Sequence, residues 1–344
     1  MHFLGLNFNG RAALSILAML LASVSLQCQA QKLPQRSITQ LSPNLYRAQN
    51  DIHFTVFLVT PEGIILTDPL NRDFSTWLKQ QLDERFGLPV KYILYSHHHW
   101  DHASGGAVFA DTARFMGQEN MLAHLALPPP GTPLLAEALA LDANGNGRIE
   151  AAEATGNFTT NFAYFDADGD GTLSGAEVVR GPVSDVKVPD ITYRDRATVS
   201  LGGHHVELTW TGPVTHADDM SIIRFPDEGV VYVVDFISIK AMPYRTLGTG
   251  YLDEWLQAIR TVEAMDFEIV SPGHGVVGTK SDIAEHRHYL EDLRDAVKAG
   301  IEAGRSSEEL QHTIQLTKYK DWFMFDAWHA ENVAGMYQLL QAQK

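Results

Sequence analysis

The pattern H-x-H-x-D-H, running from His97 to His102, begins where the apolar run KYILYS ends. In an extended stretch, side chains two apart point the same way, so His97 and His99 can close on one metal. The turn that follows then sends Asp101 and His102 toward a second. One short segment thus supplies half of a two-metal site, and the remaining ligands are expected at the ends of other strands, whose loops share a crevice. Three such ends exist: VELTWTGPVTH stops at His216, VVYVVD at Asp235 and FEIVSPGH at His274. The chain has fifteen histidines. Those at 97, 99, 102, 216 and 274 complete the set, and none of the others is expected to join it.

Around this segment strands and helices alternate. FTVFLVT and GIILTDP are apolar runs separated by Pro61-Glu62-Gly63, which is turn chemistry between paired strands. KYILYS, ARFMG, VELTWTG, SIIRF and VVYVVDF predict further strands. TWLKQQLDERF, DEWLQAIRTVEAM, HRHYLEDLRDAVKAGIEAG and FDAWHAENVAGMYQLLQ have the three-and-four spacing of amphipathic helices. The mixture indicates an α/β protein. Between Pro128 and about Lys187 the texture changes to Asp, Asn and Gly, which predicts an insertion within one domain.

The chain's 344 residues, 45% of them hydrophobic, suffice for a large core, and 26 basic against 42 acidic residues give a net charge of −16. That charge repels a phosphate backbone and argues against nucleic-acid partners. The only cysteine, Cys28, excludes a disulfide framework and a cysteine-ligated metal within the chain. Residues 12–26 are almost wholly apolar, follow Arg11 and precede Cys28-Gln29-Ala30, the pattern of a cleaved export signal. Fifteen residues fall short of the roughly 20 needed to span a bilayer, so a protein outside the cytoplasm, periplasmic or secreted and free of the membrane after cleavage, is expected.

The ligand pattern resembles the metallo-β-lactamase superfamily, over residues 40 to about 280 without the insertion. The resemblance implies an αββα sandwich with the site along one edge. It implies that His97, His99 and His216 hold a first zinc, that Asp101, His102 and His274 hold a second, and that Asp235 bridges them. Iron or manganese would suit the same ligands. Asp68, in ILTDP, matches a position that hydrogen-bonds a ligating histidine. The implied chemistry is attack by a hydroxide shared between the metals on a carbonyl or phosphoryl centre, with Asp101 orienting it and carrying a proton. His99 stands where the superfamily's di-iron redox branch has Glu, and Asp235 stands where dedicated lactamases have Cys or no ligand. Both favour ester, thioester, lactone or phosphodiester hydrolysis of a small molecule. Trp100, Tyr244, Arg245, Trp322, Trp328 and His329 are candidate pocket residues, with packing or a solvated surface the more ordinary role for each.

Within the insertion, residues 142–153 and 166–177 each fit a twelve-residue EF-hand calcium loop. Asp142, Asn144, Asn146 and Glu153 in the first, and Asp166, Asp168, Asp170 and Glu177 in the second, offer side-chain oxygens. Arg148 and Thr172, at position seven, offer backbone carbonyls. Glycine at position six permits the sharp turn, and Ile149 and Leu173 at position eight can pair across two short strands. Two Ca²⁺ are expected, more tightly held by the second loop, which has aspartates where the first has asparagines. From 142 to 177 seven acids stand against Arg148 alone, so part of the protein's acidity is metal-site chemistry.

The predicted organisation is a signal peptide (1–30), a first part of the hydrolase domain (31–127), an EF-hand pair (128–187) and a second part with C-terminal helices (188–344). The leading functional expectation is an exported dinuclear zinc hydrolase with a calcium-binding insertion. The alternatives are a β-lactamase or a non-catalytic calcium-dependent scaffold.

Overall fold

In the computed structural model, which describes residues 33–342, burial on both faces of the central strands sets the layering. Every residue of Gly63–Thr67 and of Val230–Val233 is buried, and strands without a solvated face need cover on both sides. The chain runs through β1 (Arg36–Gln40), β2 (Leu45–Asn50), β3 (His53–Thr60), β4 (Gly63–Thr67), β5 (Val90–Leu94) and β6 (Arg114–Gln118). There follow a small ribbon, β7 (Arg148–Glu150) and β8 (Thr172–Ser174), then β9 (Ile191–Tyr193), β10 (Arg196–Leu201), β11 (His204–Trp210), β12 (Ser221–Phe225), β13 (Val230–Val233) and β14 (Ile269–Pro272).

A seven-stranded sheet has the order β1-β2-β3-β4-β5-β6-β9, and a five-stranded sheet β10-β11-β12-β13-β14. Period-two alternation decides which side chains meet. Val56, Leu58, Ile65 and Leu94 of the first sheet interlock with Val206, Leu208, Ile223 and Tyr232 of the second. Their neighbours Phe57, Ile64, Leu66 and Ile93 face outward onto Phe74, Leu78 and Leu82 of the helix Arg72–Phe86. On the opposite side, Ile222, Val231 and Val233 pack against the helices Leu252–Ala264, Lys280–Glu302 and Phe325–Ala342. The result is the αββα sandwich, a mixed α/β architecture. β1 and β2 extend it beyond the expected strands: β2 buries Arg47 and Asn50, so its sequence lacks an apolar alternation.

No strand of either large sheet lies between Pro128 and Lys187. That segment has its own apolar cluster of Ala138, Ile149, Ala154, Phe165, Leu173 and Val178. β7 and β8 pair antiparallel with Ile149 opposite Leu173, and the flanking helices are only four to six residues long. Residues 128–187 and both sheets fall within one compact unit, Arg36–Lys344. The expected signal segment and Cys28 lie outside the described residues. No helix among the described residues is long and apolar enough to cross a membrane.

Candidate metal centre

Four strands deliver the expected ligands to one edge of the sandwich. β4 and β5 run parallel, so Asp68 and the 96–102 segment leave from neighbouring ends. β13 and β14 are also parallel, which brings Asp235 and His274 out side by side. Ser221 at the start of β12 donates its N–H to the Ser96 carbonyl at 2.7 Å, tying the two sheets together at this edge. Asp235 sits just beyond β13 with φ 60°, in the left-handed region that non-glycine residues enter at a cost and that clusters at functional positions.

His97, His99, His216 and Asp235 form one group whose ligating atoms lie within 4.8 Å of one another, and His102, Asp235 and His274 form a second. In the first, Asp235 Oδ2 is 3.4 Å from His97 Nε2 and 3.1 Å from His216 Nε2, and those two nitrogens are 3.3 Å apart. In the second, His102 Nε2 and His274 Nε2 are 3.0 Å apart and each is 3.3 Å from an Asp235 oxygen. Asp101 Oδ2 stands 3.6 Å from His102 Nε2 and 3.9 Å from His274 Nε2. Ligands bonded at about 2.0–2.1 Å to a tetrahedral ion are separated by about 3.3 Å, so the nitrogens and oxygens are spaced as two adjacent cation sites require. Asp235 is common to both.

The electrostatics fit the same arrangement. Burial drives His97 and His99 well below the usual imidazole range, with neighbouring histidines adding to the effect, so both rings are neutral and able to ligate. Burial also lowers His274, to about 4. Burial would raise Asp235 and Asp101, but His102 in particular holds both carboxylates below their ordinary range. His102 itself is pushed up to about 10: burial opposes its charge, and Asp235 and Asp101 more than offset that. The side chains of His97 and His102 have no exposure, whereas His216 and His274 are 29% and 36% exposed, so the centre is closed on the sandwich side and open outward.

Asp68 departs from expectation. Its Oδ2 faces His102 Nδ1 at 3.9 Å, beyond hydrogen-bond reach. It accepts instead from the Ser96 N–H at 2.7 Å and the Tyr232 hydroxyl at 3.0 Å. Burial raises its carboxyl to about 6 despite those bonds. Asp68 thus anchors the backbone that starts the histidine segment, and it acts on His102 through charge alone.

A second departure is His53. No role was expected of it, yet its Nε2 lies 3.4 Å from Asp101 Oδ2 and its ring packs on His274. It opens β3, which runs antiparallel to β4, so the beginning of β3 reaches the edge where β4 ends. A search confined to strand ends misses the starts of antiparallel neighbours.

His98, His124 and Asp219 form a further group. The two rings are stacked at 3.9 Å and only 7° from parallel. In-plane lone pairs of parallel rings cannot converge on one ion; His98 Nδ1 instead meets Asp219 Oδ1 at 3.0 Å and His124 Nε2 meets Asp218 Oδ1 at 2.6 Å.

The other candidate pocket residues make ring contacts. Tyr244 packs on Trp328 and carries Arg245 over its ring. Trp322 lies against Tyr289 and Tyr319, and His329 is buried against Phe325. Trp100, beside Asp101, meets Tyr164 of the insertion.

In the loops 142–153 and 166–177, expected from sequence to bind calcium, Gly147 and Gly171 take φ of 79° and 82°, the left-handed conformation expected at position six. Asp142 and Asp166 accept backbone N–H groups of their own loops, and so do Glu153 and Glu177. Asp166, Asp168 and Asp170 converge. The Arg148 side chain crosses to the second loop, donating to Asp170 Oδ2 at 2.6 Å and Thr172 Oγ1 at 2.5 Å.

Two groups of His and Asp side chains that could hold metal ions, gathered at the edge of an αββα sandwich, are the arrangement of a metallo-hydrolase scaffold. Residues 50–274 match the metallo-beta-lactamase superfamily model, and the chain belongs to that superfamily. Its members are mostly metal-dependent hydrolases and typically bind divalent ions such as zinc. Among solved structures, the chain is similar to a metallo-beta-lactamase from Pontibacter korlensis, with TM-score 0.52 and 17% identity over 75% of this chain and 99% of that one. It is also similar to the stereoselective inverting sec-alkylsulfatase Pisa1 from Pseudomonas sp., with TM-score 0.60 and 15% identity over 88% of this chain and 50% of that one. A curated relative, the 2,4-dinitroanisole O-demethylase subunit alpha of Nocardioides sp. (strain JS1661), is 25% identical over 186 residues. That match takes in 54% of this chain, which spans 40% of the relative's length.

Proposed function

We propose that this protein is an exported hydrolase that works with two divalent ions, zinc by preference, on a small ester, thioester, lactone or phosphodiester. The observation that carries the reading is that Asp235 touches both ligand groups, within 3.4 Å of nitrogens in each. A single carboxylate placed between two nitrogen-rich groups is what a pair of adjacent cations needs for charge balance. Bound ions would polarise the scissile group and lower the pKa of water near neutrality.

The remaining work falls to the chain. His97, His99 and His216 would hold the first ion, and Asp101, His102 and His274 the second. The Asp101 side chain is 25% exposed and faces the open side, so it can take the proton of attacking water and return it to the leaving group. Structures similar to this one include a metallo-beta-lactamase and a sec-alkylsulfatase, so the αββα scaffold does not itself select the bond cleaved.

The insertion is proposed to bind two Ca²⁺ through the loops 142–153 and 166–177 and to form a wall beside the site. Its support is the register of the β7–β8 ribbon together with the position-six glycines. Export is inferred from residues 1–30. Metal analysis of purified protein combined with ester, lactone, phosphodiester and β-lactam chromogens tests the whole reading. Two equivalents of transition metal and turnover of one of the first three classes are expected. Preferred nitrocefin turnover would make the protein a lactamase, and metal-replete but inert protein would make it a scaffold.

A further inference from the structure

The loop that delivers His274 is bound to the hairpin between β2 and β3 as well as to its own sheet, where the Gly273 N–H donates to the Val233 carbonyl at 2.9 Å. His53 and His274 form an isolated antiparallel bridge, and the Phe54 N–H donates to the Gly273 carbonyl at 2.8 Å. His274 Nδ1 lies 3.2 Å from the Ile52 carbonyl; donating there leaves Nε2 as the nitrogen offered to the site. Arg47, buried and stacked on Phe54 at 3.5 Å, donates to the Pro272 and Gly275 carbonyls at 3.1 and 2.7 Å. The hairpin therefore frames both sides of the loop.

At the centre of this frame His53 faces Asp101. The 3.4 Å between His53 Nε2 and Asp101 Oδ2 is shorter than the distances from that oxygen to His102 and His274, which are 3.6 and 3.9 Å. The His53 ring also meets the His274 ring edge to face, with centroids 4.6 Å apart, while its centroid is 5.8 Å from that of His102. His53 thus stands outside the groups gathered around Asp235, and with Asp101 and His274, two of the three second-ion ligands, it forms a group of its own whose polar atoms lie within 4.8 Å of one another. We propose that His53 is a positioning residue of the second cation site, donating from Nε2 to Asp101 Oδ2 and packing on His274 so that both ligands are held toward the ion. This rests on the two-ion reading above. Partners that hydrogen-bond ligating groups typically contribute about 10–100-fold in metal affinity.

The test is titration of the metal-free protein with Co²⁺ alone, followed by visible absorbance, for wild type, His53→Ala and His53→Gln. Wild type is expected to bind in two steps. His53→Ala should keep the first step and weaken the second by about 10–100-fold. His53→Gln, whose amide N–H can occupy the place of Nε2, should recover most of that loss. An unchanged second step in His53→Ala overturns the proposal, and so does equal weakening of both steps, which marks a purely structural role. Failure of Gln to recover more than Ala also counts against the hydrogen bond. A single binding step in wild type sinks the two-ion reading itself, an outcome separate from the others.

Discussion

The indole of Trp100 packs on the ring of Tyr164 with centroids 4.8 Å apart, so the residue beside Asp101 rests on the acidic insertion. Tyr164 leads into the acidic loop 166–177, and the Ser184 N–H donates to the Tyr164 carbonyl at 2.9 Å. The contact joins the insertion to the histidine segment through side chains. Replacing Tyr164 by Ala should cost about 1 kcal/mol of stability from the aromatic pair. It should lower turnover of the best chromogenic substrate with metal content unchanged. Thermal melts and steady-state kinetics on the same preparation check this, and unaltered kinetics would detach the insertion from the site.

Calcium should be felt first as stability. Adding CaCl₂ to zinc-loaded protein is expected to raise the melting temperature, because a ligand that binds only the folded state stabilises it by mass action. The double variant Asp166→Ala/Asp168→Ala should lose most of the rise, since the second loop carries the greater charge. Equal responses in both proteins would assign the effect to general ionic strength.

Asp235 belongs to both ligand groups. Asp235→Asn keeps the size of the side chain and removes the charge, and it should reduce affinity at both positions by more than the about 10–100-fold typical of an outer partner. Metal content after gel filtration is the measurement. Two retained equivalents would contradict the shared role.

Gly273 is held by close approach. A methyl added there would stand 2.8 Å from Val234 Cγ1 and 3.1 Å from His102 Cε1. Gly273→Ala is expected to destabilise the metal-free protein by about 1–3 kcal/mol through overpacking. It should also weaken the second Co²⁺ step by displacing His102. Urea melts and the titration read the two effects separately.

His286, fully buried in the helix Lys280–Glu302, supplies an acid-sensitive term away from the ligands. Burial lowers its pKa from 6.5 to about 4, with the Phe236 backbone opposing. A histidine depressed in the folded state binds its proton more readily when unfolded. Stability therefore falls as pH drops below 6.5 and levels off below about 4, by about 3 kcal/mol in total. In metal-free protein, His286→Leu should lose less stability than wild type between pH 7.5 and 4.5, as read by urea unfolding at each pH. Parallel declines would remove His286 from the acid response.

The amino-acid order alone determined the local parts. Two-residue periodicity and the H-x-H-x-D-H spacing place His97, His99, Asp101 and His102, and strand endings place His216, Asp235 and His274. The glycines and oxygens of the loops at 142 and 166 are equally local, because turn geometry depends on a few consecutive residues. Only the tertiary structure decided what came from elsewhere in the chain. That β3 lies antiparallel beside β4 brings His53 to Asp101, the parallel pairing of β4 with β5 gives Asp68 to Ser96, and the packing of the two sheets gives it to Tyr232 instead of His102. It also buries Arg47 under the His274 loop. Such partnerships depend on which strands become neighbours, and that is set by packing across the whole core.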